Sequence, residues 1–164
     1  MALLLLIPAS AHAQGLTITA VTVSDFSAVS LSGSSATSTA VMSDFTVTDS
    51  RGTGEGWNVM VQGTPFAEWD GAGYVPGARM LPAGSLSMSA PTVSSTEATP
   101  APPTLTAGPY LIDGYAVKIA SAAVDAGGGS YTFTQTGPLT LTIVAAAYAG
   151  TYRSEITVSV ASGP

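Results

Sequence analysis

The chain has 164 residues and no cysteine, carries a formal charge of −6, and is only 9% charged residues. That length supports one domain with a real core and is short for two. With four cations, Arg51, Arg79, Lys118 and Arg153, it lacks the basic footprint that nucleic acid requires and the basic cluster that docks on anionic lipid.

Soluble domains usually carry roughly 25% charged residues. Here Ser, Thr, Gly and Ala take their place, giving the hydroxyl-hydrated surface of many secreted β proteins. Without disulfides, such a fold must be held by β packing alone.

Residues 1–13 read as a secretory leader. Ala2 to Ile7 form an apolar stretch, Pro8 breaks it, and Ala11-His12-Ala13 is a small-residue cleavage site before Gln14. No basic residue precedes the apolar stretch, so the sequence does not fix whether Met1 is the natural start. The stretch is too short to span a bilayer. The expected mature form, 14–164, has no membrane span and loses the chain's one histidine with the leader.

Leu16 to Phe26 then predicts a long strand, and Ser32 to Ser38 a polar loop or weak strand. Asp44 to Gln62 reads as strand, tight Gly-rich turn, strand, a hairpin. Phe45 and Val47 alternate with Thr46 and Thr48. Three glycines, Gly52, Gly54 and Gly56, are free to take positive φ in the turn. Trp57, Val59 and Val61 resume the alternation, and the bulk of Trp57 suits a core anchor.

From Pro65 to Pro82 the pattern lapses into an aromatic, Gly- and Pro-rich loop. Short strands follow near Leu86 to Met88 and Thr92 to Val93. Residues 94–103 are linker-like and are read as a loop within one domain. Ala116 to Ala120, Tyr131 to Thr134, Leu139 to Val144 and Glu155 to Val160 complete the strands. Short strands at this spacing, with no sustained helical period, predict an all-β antiparallel sandwich in a single domain.

Asp49-x-Arg51-Gly52-x-Gly54-x-Gly56-Trp57-x-Val59 resembles the first motif of the WxL domain, a cell-wall-associated β domain of Gram-positive surface proteins. The family's closing strand, Gly-Thr-Tyr followed by an alternating apolar run with a second Trp, is matched by Gly150-Thr151-Tyr152 and by Ile156, Val158 and Val160. Val59 stands where the family has Leu, and Val158 where it has the second Trp. The resemblance implies non-covalent attachment to peptidoglycan or to an envelope partner. On that reading the contact residues are Trp57, Asn58, Val59 and Tyr152, together with the loop aromatics Phe66, Trp69 and Tyr74, whose flat faces suit sugar rings or an apolar protein patch.

Little catalytic chemistry is available. Without His or Cys in the mature chain, Ser/His and Cys/His systems are excluded, and zinc lacks its usual ligands. Glu68 and Asp70 flank Trp69 as a carboxylate pair that could serve glycoside hydrolysis, but solvated loop carboxylates are the favoured reading. No D-x-D-x-D spacing supports a Ca²⁺ site among Asp49, Glu55 and Asp70. No enzyme activity, metal or cofactor is expected. No sorting motif, hydrophobic tail or lipobox cysteine is present, so covalent attachment by those routes is not expected. The alternative function is a filament subunit that self-associates by β-strand addition.

Overall fold

The computed structural model describes residues 15–95 and 101–164. The expected leader and the centre of the 94–103 segment lie outside the described residues. Among those described there are fourteen strands and no helix, numbered β1 to β14 along the chain. The all-β antiparallel sandwich is what the protein forms.

One four-stranded sheet runs β1 (Leu16–Ile18), β3 (Phe45–Asp49), β11 (Gly129–Thr134), β7 (Thr92–Ser95). A second runs β14 (Ile156–Ser162), β4 (Trp57–Gly63), β10 (Val117–Ala122), β8 (Thr104–Leu105). A third runs β2 (Ala36–Ala40), β12 (Leu139–Ile143), β6 (Leu86–Met88), β9 (Tyr110–Leu111). A two-stranded ribbon joins β13 (Tyr152–Arg153) to β5 (Ala67–Glu68). All the ladders between these strands are antiparallel.

Period-2 alternation dictates the packing. Phe45, Val47 and Asp49 of β3 are buried while Thr46 and Thr48 are half-buried. Trp57, Val59 and Val61 of β4 are fully buried. The first two sheets meet through rings: Trp57 lies 5.8 Å from Tyr131 and 6.4 Å from Phe133, and Phe133 stacks on Phe45 at 4.8 Å. The third sheet adds Leu86, Met88, Tyr110, Leu139 and Leu141 to the same hydrophobic cluster. The strands flanking the 94–103 segment pair with β11 and β10, so both of its sides serve one core.

Three expectations need correction. Asp44 to Gln62 is not a hairpin: β3 and β4 belong to facing sheets, and the glycine loop carries the chain across the core rather than back along one sheet. Gly52, Gly54 and Gly56 all have positive φ, and a Cβ on Gly56 would collide with the carbonyl oxygens of Ala122 and Ala123.

The second correction concerns the long strand over Leu16 to Phe26, which shortens to β1. Its partner β3 begins at Phe45, so the ladder runs out just beyond Ile18, which pairs with Val47. The chain then moves to another sheet, with Ser24 N donating to Val41 O and Ser38 Oγ to Ser27 O. Of Ser32 to Ser38, expected as a polar loop or weak strand, residues 32–35 are loop and the rest opens β2, paired residue for residue with β12.

The third concerns Thr151 to Val160, which is divided. β13 pairs with β5, and β14 pairs with β4 over its full length, from Ile156 opposite Gly63 to Ser162 opposite Trp57. β14 is thus used within its own sandwich rather than held out as a donor strand.

Candidate functional site

The residues of the first motif build a clasp. Arg51 follows β3 by two residues, and its side chain is only 3% exposed. Its Nε donates to Asp49 Oδ1 at 2.9 Å and one terminal nitrogen to Asp49 Oδ2 at 2.8 Å, a two-point pair. The same nitrogen donates to Gly56 O at 2.7 Å. The other terminal nitrogen reaches Glu55 Oε2 at 3.0 Å and the hydroxyl of Ser162, at the far end of β14. The hydrogen bonds from Arg51 hold the Asp49 carboxyl below its ordinary range, and Asp49 in turn pushes the guanidinium up. The clasp joins the loop after β3 to the end of β14.

Next to it, Trp57 Nε1 donates to Gly127 O at 2.8 Å, and a Cβ on Gly127 would strike the indole. Asn58 Nδ2 donates to Gly163 O at 2.8 Å. Trp57 and Val59, expected as contact residues, are wholly buried, so their side chains offer no surface to a ligand. Asn58 is half-buried and occupied with the backbone.

The loop aromatics divide in the same way. Phe66 is buried edge-on against Phe26 at 5.6 Å, which corrects its expected exposure. Trp69 and Tyr74 meet edge to face at 5.1 Å. The β5–β13 ribbon brings Tyr152 opposite Glu68 and Arg153 opposite Ala67, while Trp69 N donates to Thr151 O at 2.8 Å. Arg153 consequently lies over the Trp69 ring, 4.6 Å from its centre. Alongside, Arg79 lies 4.1 Å over the ring of Tyr148, and the Tyr152 hydroxyl donates to Tyr148 O at 3.1 Å. Burial pushes the Tyr152 hydroxyl up, and the charge of Glu68 adds to that.

The outcome is a rim of two guanidinium–ring stacks. Tyr74 is 44% exposed and Tyr148 61%, whereas Trp69 is half-buried beneath its neighbours. Asp70 is taken up by its own turn, accepting from Ala72 N and Gly73 N at 2.8 Å each, and these bonds hold its carboxyl below the ordinary range. Among the described residues, no three acidic or histidine side chains gather as a metal site.

The sequence pointed to Trp69, Tyr74 and Tyr152, and the structure brings them together. Arg79, Arg153 and Tyr148 were missed as members of the rim. The available signal was scarcity: with Arg51 buried, two of the three remaining cations lie here.

Residues 8–164 match the family model described as "WxL domain surface cell wall-binding". The chain belongs to the WxL domain family. In this WxL chain the first motif folds as the clasp and the core anchor, and the closing motif as β13 and β14. No curated protein and no solved structure gives a significant match. A surface, wall-binding assignment therefore follows from the family, and no helix among the described residues is long and apolar enough to cross a membrane.

Proposed function

We propose that this WxL domain is secreted and non-catalytic, and that it attaches non-covalently to peptidoglycan through the β5–β13 rim. The observation that carries the reading is the pair of guanidinium–ring stacks, Arg153 on Trp69 and Arg79 on Tyr148, beside the exposed rings of Tyr74 and Tyr148. Exposed ring faces suit the C–H faces of pyranose sugars. Guanidinium forks suit the carboxylates of the wall's peptide stems, and stacking on a ring fixes their direction. Trp69 serves as the pivot that seats Arg153 and Tyr74, and Tyr152 fixes the Tyr148 backbone.

The test is co-sedimentation of the full chain with purified peptidoglycan. The double variant Tyr74→Ala/Tyr148→Ala is expected to lose retention several-fold while its melting temperature falls by only about 2–4 °C, because both rings are exposed. Retention equal to that of the unaltered protein would remove the rim from wall contact.

A further inference from the structure

We infer that β14 is a self-pairing edge, through which two copies of the chain join as an antiparallel, two-fold dimer. β14 is the outermost strand of its sheet. It is seven residues long and contains no charged residue and no proline, and its register with β4 has no shift. Natural sheets normally blunt an edge of this length with charge, proline or a bulge.

The hydrogen-bond parity shows which groups are free to pair. Thr64 N donates to Glu155 O at 2.9 Å, and Gly163 N to Gly56 O at 3.2 Å. Antiparallel pairing alternates, so the odd-numbered residues between these points direct their main-chain groups to β4. Ile156, Val158, Val160 and Ser162 direct theirs to the open side. The side chains of Ile156, Val158 and Val160 face the core yet stay half-exposed, while Val59 and Val61 on the adjoining β4 are fully buried. β1 packs near this edge from the facing sheet, but its ladder goes to β3.

A second copy of β14 fits this edge better than a foreign strand because the segment complements itself. Paired antiparallel about Ser159, Ile156 meets Ser162 and Val158 meets Val160, and both are hydrogen-bonded pairs of the correct parity. Overlap is complete in this register, and the half-exposed valines cover one another. Arg153 and Glu155 fall beyond the partner strand's end, so neither copy of β14 sets a charge opposite the other. A two-fold contact closes on itself, so the product is a dimer and not a fibre.

The chain's lack of cysteine makes the test direct. At a non-hydrogen-bonded antiparallel pair the Cα atoms stand about 4.5 Å apart, within disulfide range. Ser159 is exposed and meets its own copy at the axis. The full-length variant Ser159→Cys should therefore oxidise to a covalent dimer, whereas Thr157→Cys, on the same exposed face, meets Ala161 of the other copy and should stay uncrosslinked. Sedimentation should show a dimer for the unaltered protein. Ser159→Lys should lose it with its melting temperature kept, since it sets like charges opposite each other. A monomer at every concentration, or equal crosslinking at 157 and 159, would overturn the proposal.

Discussion

Arg51 and Trp57 show why two residues of one short motif answer to different physics. Asp49 and Arg51 form an ion pair with side chains 7% and 3% exposed. Removing one partner of a buried pair leaves an uncompensated charge, so Arg51→Ala should cost about 3–5 kcal/mol in urea unfolding. Arg51→Lys should recover only part of this, because an ammonium cannot make the two-point contact and also reach Gly56 O and Ser162. The pH response follows in sign from the lowered Asp49 value. The stability it contributes is fully present above the unfolded value of about 3.9 and is lost as pH falls through the lower folded one. Acid unfolding of Asp49→Asn should therefore be less steep below about pH 4 than that of the unaltered protein. Trp57→Ala removes the largest side chain of the core and strands Gly127 O. It should destabilise by about 3–5 kcal/mol, measured by the same unfolding curve.

Among the elements, the β5–β13 ribbon turns an aperiodic loop into a surface. The 65–82 stretch holds no long strand of its own, yet Glu68 N bonds Arg79 O and Trp69 N bonds Thr151 O. Trp69→Ala should release both Arg153 and Tyr74, lowering wall retention while costing about 1–3 kcal/mol in stability, the scale of a half-buried ring with its cation–π contact. Strands with clean alternation, such as β3, β4 and β12, were legible because period 2 is written in their own residues. β5, β8, β9 and β13 are two residues each, too short to carry a period, and exist because a distant segment pairs with them. The crossing from β3 to β4 was hidden for a related reason. A glycine loop between two alternating runs looks the same whether it returns along one sheet or passes to the facing one, and the deciding contacts, Arg51 with Ser162 and Gly56 against Ala122, join residues far apart in sequence. The rim was half legible: its rings stood out by type, but their arginines came from separate segments.

At the scale of the whole molecule, fold class and single core could be read from the chain, whereas sheet membership could not, since among the described residues no two consecutive strands pair with each other. β4, central in the second sheet, illustrates the consequence. Its two sides are taken by β10 and β14, and both lie well downstream of it. During synthesis, Trp57, Val59 and Val61 therefore emerge before either of the strands that will flank them. β1 and β3 can pair early, but β4 cannot lock into place until β10 and β14 arrive, and closure waits on the segment that delivers Ser162 to Arg51. A topology so dominated by distant pairings folds slowly. A fragment ending at residue 150 should remain unfolded, with amides along β4 exchanging at the rate of a free peptide; protected β4 amides would refute this. Late closure keeps the chain threadable for as long as it is incomplete, the state that the secretion proposed for it would require.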